Sequence, residues 1–143
     1  MSLALLFSPQ GSQAVGMGRE LADISPAARA LYDEADAVLG WSVSSTCWEG
    51  PAERLNDTRQ TQPCLLATSI AALCALEERA DIQPAFVAGH SVGEYAALVA
   101  AGVLELPAAL RLASRRAVLM AEADDDGGMA AVLGLDRSTV TAT

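Results

Sequence analysis

The sequence predicts an α/β protein with a parallel sheet. Short apolar runs alternate along the chain with longer segments of helical periodicity, and turns rich in Pro and Gly separate them. The chain has 143 residues, of which 52% are hydrophobic, and this is enough for one domain with a real core. Aromatic residues make up only 4%, so Ala and Leu supply most of the apolar side chains, which suits closely packed helices.

The first predicted elements are a strand and a helix. Leu3–Phe7 is a continuous apolar run ended by a Pro/Gly turn, and it reads as a buried parallel strand. The segment 24–40 predicts a helix, because Ser25 is a good N-cap, Pro26 suits the first helical position and Gly40 is a stop signal.

The middle of the chain contains a long helix and a second strand. Residues 50–58 predict a short helical turn within a loop. A long helix is predicted to begin at Pro63, to continue to about residue 80, and to enter the core. The apolar run 84–90 predicts a second buried strand.

Two further helices and a break in composition follow. Helices are predicted over 91–102, ending at Gly102, and over 106–123. The acidic, Gly-rich stretch 124–128 predicts a linker into a second unit.

That second unit is short. Residues 128–135 predict a strand, and Asp136 is placed to cap a last helix over 137–143. One strand and half a helix cannot bury their own apolar faces. We therefore expect the chain to be the N-terminal portion of a longer protein.

Charge and cysteine content exclude several classes of function. The net charge is −9 and all cationic residues are arginines without a basic stripe, so binding to nucleic acid or to an anionic membrane is not expected. No apolar stretch reaches transmembrane length, and we expect a cytoplasmic protein. Cys47, Cys64 and Cys74 lack metal-ligand spacing, so we expect reduced cysteines, mostly in the core, and no metal.

The segment Gly89-His90-Ser91-Val92-Gly93 matches the G-x-S-x-G pattern of a nucleophile elbow. In such an elbow the serine lies on a tight turn between a strand and a helix, as the predicted elements require. The alternative is a capping box with Ser91 as N-cap and Glu94 three residues later. The five-residue pattern alone does not choose between them.

A nucleophile of this kind needs an oxyanion hole. The backbone N–H of Val92 would supply one donor. The loop after the first strand would supply the second, because Gln10 stands at its centre and Gly11 permits close approach of the backbone. The alternative for this loop is an ordinary Pro/Gly turn.

Arg116 is the candidate for binding an anion. At helical spacing it falls at the centre of an apolar stripe, whereas Arg115 faces solvent. An inward guanidinium needs an anionic partner, either a buried Asp or Glu or the free carboxylate of a substrate. The stripe consists of Ala109, Leu112, Ala113, Leu119, Met120 and Ala123.

Three segments in order, "FSPQGSQAVGMG", "TRQTQPCLLATSIAAL" and "AGHSVGEYAALVAAGVL", resemble the malonyl-CoA:acyl carrier protein transacylase family. The resemblance extends through "SRRAVLMAEA" and "GGMAAVLGLD" and so covers essentially the whole chain. One departure is Ser8-Pro9, where the family usually has Pro-Gly before Gln10.

The resemblance implies an acyltransferase for fatty acid biosynthesis. Ser91 would attack malonyl-CoA and carry the malonyl group as an ester, and the phosphopantetheine thiol of acyl carrier protein would then accept it. The backbone amides of Gln10 and Val92 would form the oxyanion hole, Arg116 would bind the malonyl carboxylate, and Gln62 would line the site. No cofactor is implied beyond the coenzyme A thioester substrate, and we expect a monomer for the complete protein.

The resemblance also implies the fold and the missing base. Residues 1–124 would be part of a large α/β-hydrolase-like subdomain, and 125–143 would be a linker and the start of an inserted ferredoxin-like subdomain. The single histidine, His90, lies inside the elbow pattern, where it points away from the hydroxyl of Ser91. The general-base histidine of the family lies later, outside this chain.

Other functions remain open from the sequence. A polyketide-type acyltransferase or the transacylase subunit of a malonate decarboxylase has the same chemistry. A serine esterase is a different class, and Arg116 argues against it because an esterase needs no carboxylate-binding arginine. A non-catalytic fragment is the last alternative.

Overall fold

The computed structural model describes residues 2–123 and 132–141. Strands and helices alternate only partly, since eight helices and two strands are seen in this part of the chain. In order they are β1 (Leu3–Phe7), α1 (Arg19–Ile24), α2 (Pro26–Leu39), α3 (Val43–Glu49), α4 (Ala52–Asn56), α5 (Thr58–Glu77), β2 (Pro84–Gly89), α6 (Gly93–Ala100), α7 (Leu106–Ala121) and α8 (Arg137–Thr141).

The two predicted strands pair in parallel, which confirms a mixed α/β chain with a parallel sheet. Phe7 of β1 lies opposite Gly89 of β2, so both strands end at the same edge. The prediction that these strands are buried is wrong for the described residues: Leu6 is 80% exposed and Phe86 is 70% exposed. The reason is that α6 packs on the pair but the helices cover only part of its two faces.

The core lies among the helices, and α5 is at its centre. This helix packs against α2, α3, α6 and α7, and its residues Leu66, Ala67 and Ala71 are fully or almost fully buried. Tyr32 of α2 is also fully buried, and its hydroxyl lies 2.8 Å from the hydroxyl of Thr68. Burial raises the pKa of Tyr32 and keeps it neutral.

Helix α2 confirms its predicted signals. Ser25 Oγ accepts a hydrogen bond from the Ala28 N–H at 3.0 Å, Pro26 is the first helical residue, and Gly40 ends the helix with φ of 73°. Left-handed backbone at this position favours glycine.

The predicted start of α5 at Pro63 is wrong. The helix begins five residues earlier, at Thr58, because the Asp57 carboxylate accepts a hydrogen bond from the Arg59 N–H at 2.9 Å and caps it there. The short helices α1 and α3 were not predicted. A signal for α3 existed, since Ser42 caps it by accepting from the Ser45 N–H.

The C-terminal predictions are tested only in part. The linker at 124–128 and the first half of the strand at 128–135 lie outside the described residues, and residues 132–135 form no strand. Helix α8 is confirmed, and Asp136 caps it by accepting from the Thr139 N–H at 2.8 Å.

Cys47 and Cys64 are buried and Cys74 is half-buried, all as free thiols, as predicted. In the described part of the chain, no helix combines the length and apolar character needed to cross a bilayer.

Candidate active site

Ser91 lies at the turn between the end of β2 and the start of α6. Its φ is 55°, and among the described residues it is the only one besides glycines with positive φ. Left-handed backbone at a residue with a side chain is strained, and such strain is concentrated at functional sites. The elbow geometry pushes the exposed Ser91 side chain out of the sheet edge.

The two glycines of the pattern are required by close backbone packing. A Cβ atom on Gly89 would overlap the carbonyl oxygen of Gly93, and a Cβ atom on Gly93 would overlap the carbonyl oxygen of Phe7. The end of β1 therefore lies directly against the first turn of α6. Glycine at both positions allows the strand, the turn and the helix to meet this closely.

The capping-box alternative does not describe this turn. The N-cap of α6 is Val92, and no side chain makes a capping hydrogen bond there. The Glu94 N–H donates instead to the backbone carbonyl of Ser91 at 3.2 Å. The hydroxyl of Ser91 is left available for another contact.

That contact comes from Arg116 on α7. Its Nη2 donates to Ser91 Oγ at 3.0 Å, and its Nη1 donates to Oε1 of Gln62 on α5. The Gln62 amide is fully buried, and its Nε2 donates to Sδ of Met120 at 3.4 Å. A buried amide with both ends bonded holds the guanidinium in a fixed orientation.

Arg116 has no acidic partner in the ranges 2–123 and 132–141, where the two ion pairs involve Arg29 and Arg59. The sequence left open an ion pair between Arg116 and a buried Asp or Glu, and this pair is not formed in the described ranges. Arg116 is half-buried and Arg115 is exposed, as predicted.

The predicted apolar stripe of α7 needs correction. Leu112 and Leu119 were expected to face inward, but about half of each is exposed. The helix packs on α5 and α2 through a stripe of three alanines and one leucine, and Arg116 lies at the edge of this stripe, not at its centre. The buried residues are Ala109, Leu110, Ala113 and Ala117.

The two amides assigned to the oxyanion hole are free donors. Within the described structure, neither the Gln10 N–H nor the Val92 N–H donates to a protein acceptor. The Gln10 loop begins beside the elbow, because the His90 N–H donates to the Phe7 carbonyl at 3.2 Å. The positive end of α6 adds to the favourable field for negative charge at Ser91.

A cavity of about 240 Å³ opens in front of Ser91. Besides Ser91 and Arg116 it is lined by Glu94, Tyr95 and Leu98 of α6. Tyr95 and Leu98 were not singled out from the sequence. Their spacing from Ser91 was a usable signal, since residues four and seven positions along a helix share a face.

His90 takes no part in this arrangement. It is exposed and borders a separate depression formed with Leu6, Phe7, Ala88 and Gly89. Among the residues described, its imidazole makes no hydrogen bond to Ser91, and that His90 is not the base stays a prediction. The same residues contain no group of His, Cys, Asp and Glu side chains arranged to hold a metal ion.

Comparison with known proteins gives a consistent result. The sequence profile described as "Acyl transferase domain" matches residues 4–142. The malonyl CoA-acyl carrier protein transacylase of Bacillus subtilis (strain 168) is 50% identical over 140 residues, covering 96% of this chain but 44% of that protein. The chain therefore spans about half the length of the curated relatives it matches.

Solved structures agree with this match. The crystal structure of an acyl-carrier-protein S-malonyltransferase from Burkholderia pseudomallei 1710b is 45% identical with a TM-score of 0.89, covering 99% of this chain and 47% of that one. A type II PKS acyl-carrier protein in complex with its malonyl-transacylase matches at 43% identity and a TM-score of 0.84, over 89% of this chain and 41% of that one.

The match of sequence profile, relatives and fold extends across the elbow, the Gln10 loop and helix α7. The chain therefore belongs to the acyl transferase domain family, and within it the chain is similar to malonyl CoA-acyl carrier protein transacylases.

Proposed function

We propose that this chain supplies the nucleophile and the carboxylate-binding group of an acyltransferase that moves a malonyl group from malonyl-CoA to acyl carrier protein. The observation that carries the proposal is the position of Arg116. Its guanidinium contacts the Ser91 hydroxyl and the Gln62 amide, and it has no anionic partner within the described residues. A free cation beside a strained serine suits a substrate that has both a thioester and a carboxylate.

The first half-reaction follows from this arrangement. Ser91 Oγ attacks the thioester carbonyl and forms a C–O bond, which gives a tetrahedral intermediate. The C–S bond then breaks, and coenzyme A leaves as its thiol with the proton that the base took from Ser91. The oxygen of the tetrahedral intermediate is negatively charged. The N–H groups of Gln10 and Val92 stabilise this charge, and a base outside these residues accepts the serine proton.

Arg116 selects the acyl group. A malonyl group held on Ser91 has its free carboxylate a few atoms from the ester, within reach of a guanidinium that already contacts Oγ at 3.0 Å. A guanidinium and a carboxylate prefer a planar, bidentate contact, and we propose this geometry for Arg116 and the malonyl carboxylate. Gln62 keeps the guanidinium turned toward the cavity through its hydrogen bond to Nη1.

The second half-reaction transfers the malonyl group to the phosphopantetheine thiol of acyl carrier protein. The thiol sulfur attacks the ester carbonyl and forms the new C–S bond, the C–O bond to Ser91 breaks, and the thiol proton passes by way of the base to Ser91 Oγ. Support for this partner comes from the related malonyl-transacylase that was crystallised with an acyl-carrier protein. The complete protein would act as a monomer on these two substrates, without a further cofactor.

The finer organisation of the chain is also a proposal. Residues 1–124 would belong to a large α/β-hydrolase-like subdomain, and 125–143 would lead into a small ferredoxin-like subdomain. The elbow between β2 and α6 and the end of α7 at Ala121 support this division. The general-base histidine would lie in the part of the large subdomain that this chain does not contain.

The test uses a chimera in which this chain replaces the matching segment of the Bacillus subtilis relative. Incubated with malonyl-CoA and no carrier protein, the chimera should gain one malonyl group on the peptide that contains Ser91, detected by mass spectrometry. Ser91→Ala should gain none, because the nucleophile is lost. Labelling of Ser91→Ala, or labelling elsewhere in the parent chimera, would contradict the proposal.

A polyketide-type acyltransferase is the second candidate, because the solved complex contains a type II PKS carrier protein with its malonyl-transacylase. The first half-reaction is the same, so only the acceptor distinguishes the two. Transfer rates from the malonylated chimera to a fatty acid carrier protein and to a type II polyketide carrier protein should be compared. A clear preference for the polyketide carrier would favour the second candidate.

A further inference from the structure

The loop that carries Gln10 is tied to the junction of α4 and α5 by two side-chain amides. Gln10 Nε2 donates to Thr58 Oγ1 at 2.7 Å, and Gln13 Nε2 donates to Asn56 Oδ1 at 2.9 Å. Within the loop, the Gly11 N–H donates to Gln13 Oε1 at 2.8 Å. The first of these bonds is half-buried and involves the residue whose backbone N–H faces the proposed oxyanion.

The anchor itself is held firmly. Asp57 caps α5 just before Thr58, and the hydroxyl of Thr61 donates to the Leu55 carbonyl at 2.6 Å in the buried interior. The Thr61 hydroxyl is also within 2.9 Å of the Asp57 carbonyl. The start of α5 is therefore locked to α4, and Thr58 has little freedom to move.

Thr58 and Gln62 are one turn apart on α5, so they project from the same side of the helix. Gln62 holds Arg116, and Thr58 holds Gln10. The same face of α5 therefore contacts two groups assigned to the reaction at Ser91. One is Arg116, assigned to the substrate carboxylate, and the other is the Gln10 loop, assigned to the oxyanion.

We propose that Thr58 is a positioning residue that aims the Gln10 N–H at the oxyanion by fixing the Gln10 side chain. This inference rests on the proposed function. Gln10 lies within a Pro/Gly turn whose own hydrogen bonds are exposed, so its side chain is the anchor nearest to the catalytic amide. A small displacement of such a donor is costly, because stabilisation of an oxyanion depends on preorganised geometry.

The test measures malonyl transfer by the chimera with Thr58→Val, which keeps the shape and removes the acceptor. We expect kcat to fall about tenfold, which is less than the loss of roughly 10²–10³ for a deleted donor. KM for malonyl-CoA should not change, and acetyl transfer should fall by the same factor, because the oxyanion forms with either acyl group. Thr58→Ser should restore kcat, since it retains the hydroxyl.

Thr68→Val is the matched control. It is the same substitution on the same helix and also removes a half-buried hydroxyl bond, to Tyr32, but it lies far from the loop. It should lower the melting temperature and leave kcat unchanged. Equal kcat losses in the two variants would show that only helix stability matters and would overturn the inference.

A double-mutant cycle covers the case in which Thr58→Val folds poorly. Gln10→Met removes the donor of the same hydrogen bond and should lower kcat as Thr58→Val does. The two losses should not multiply in the double variant, because both report one interaction. If the losses in kcat multiply in the double variant, or if Thr58→Val is as active as its parent, the role of Thr58 alone is overturned. If the parent chimera transfers no malonyl group, the proposed function is contradicted and the inference with it.

Discussion

Arg116 shows how a single side chain defines the proposed site. A guanidinium that is half-buried against neutral partners has lost part of its hydration without gaining an opposite charge. The Gln62 amide compensates for part of this loss and fixes the orientation. A substrate carboxylate would complete the interaction, so under the proposed function Arg116 would be the main determinant of acyl selectivity.

We predict that Arg116→Ala in the chimera will reduce malonyl transfer and will leave acetyl transfer unchanged or raised. A charge-assisted hydrogen bond contributes roughly 1.5–3 kcal/mol, so losing one corresponds to a rate loss on the order of 10–150-fold. Rates with malonyl-CoA and acetyl-CoA, measured side by side, give the ratio directly.

Arg115→Ala is the control for that ratio. Arg115 precedes Arg116 on α7 but is exposed, so the substitution removes the same charge outside the cavity. It should change neither rate. An equal fall in malonyl and acetyl transfer for Arg116→Ala would mean that the arginine is structural.

At the scale of elements, the contact between the end of β1 and the first turn of α6 sets the position of Ser91. Gly93→Ala places a methyl group onto the Phe7 carbonyl, so strand and helix must separate. We expect a loss of about 2–4 kcal/mol in the free energy of unfolding, together with a large loss of malonyl transfer. Urea unfolding and the transfer assay measure the two effects.

Gly40→Ala separates this steric effect from backbone strain. Gly40 has φ of 73°, but a Cβ atom there meets no other atom within 4 Å. The substitution should cost about 1 kcal/mol of stability and leave malonyl transfer intact. If Gly93→Ala were no worse than Gly40→Ala, the close contact would not be needed.

The start of α2 is stabilised by the carboxylate of Glu78, the residue at the C-cap of α5. Glu78 Oε1 accepts from the Ala27 N–H at 2.9 Å, and hydrogen bonds from Ser25 and Ala27 hold the pKa of Glu78 below its ordinary value. A lowered folded-state pKa gives stability that is complete above the unfolded value and is lost as pH falls through the folded value.

We therefore predict that Glu78→Gln in the chimera will lower the urea midpoint at about pH 7 and will have a smaller effect at an acid pH below the lowered folded-state pKa of Glu78, where the native carboxyl is protonated. Glu77→Gln is the matched control, because in the described structure the Glu77 carboxylate makes no hydrogen bond to α2. It should leave the midpoint unchanged at either pH. The same loss for Glu78→Gln at both pH values would contradict the prediction.

At the scale of the whole molecule, the sheet is the incomplete part. The two strands expose Leu3, Leu6 and Phe86, whereas the interior among the helices is closed. A two-stranded sheet with open apolar faces cannot reach independent stability without further packing. The part of the fold that positions Ser91 is therefore also the part that most needs additional structure.

We predict that the 143-residue chain alone will bind a hydrophobic dye, dissolve poorly and transfer malonate very slowly. Its one histidine, His90, makes no hydrogen bond to the Ser91 hydroxyl in the described structure, and losing the base of such a site lowers the rate by a factor on the order of 10⁴–10⁶. The chimera is the comparison, and equal turnover by the two proteins would contradict this prediction.

Local signals in the sequence determined much of this protein. Strands β1 and β2, the caps of α2 and α8, and the elbow at Ser91 follow from apolar runs, cap residues and glycines that act over a few positions. Helical periodicity also predicts that Arg116 is more buried than Arg115. The assignment of family also came from ordered local motifs.

Only the tertiary structure decided the contacts between elements. The pairing of Arg116 with Gln62, and of Gln10 with Thr58, joins residues 54 and 48 positions apart, which no local pattern encodes. The same is true of the α7 stripe, where packing buried three alanines and Leu110 but left Leu112 and Leu119 half-exposed. Periodicity specifies which residues share a face, but the shape of the neighbouring helix determines which face is buried.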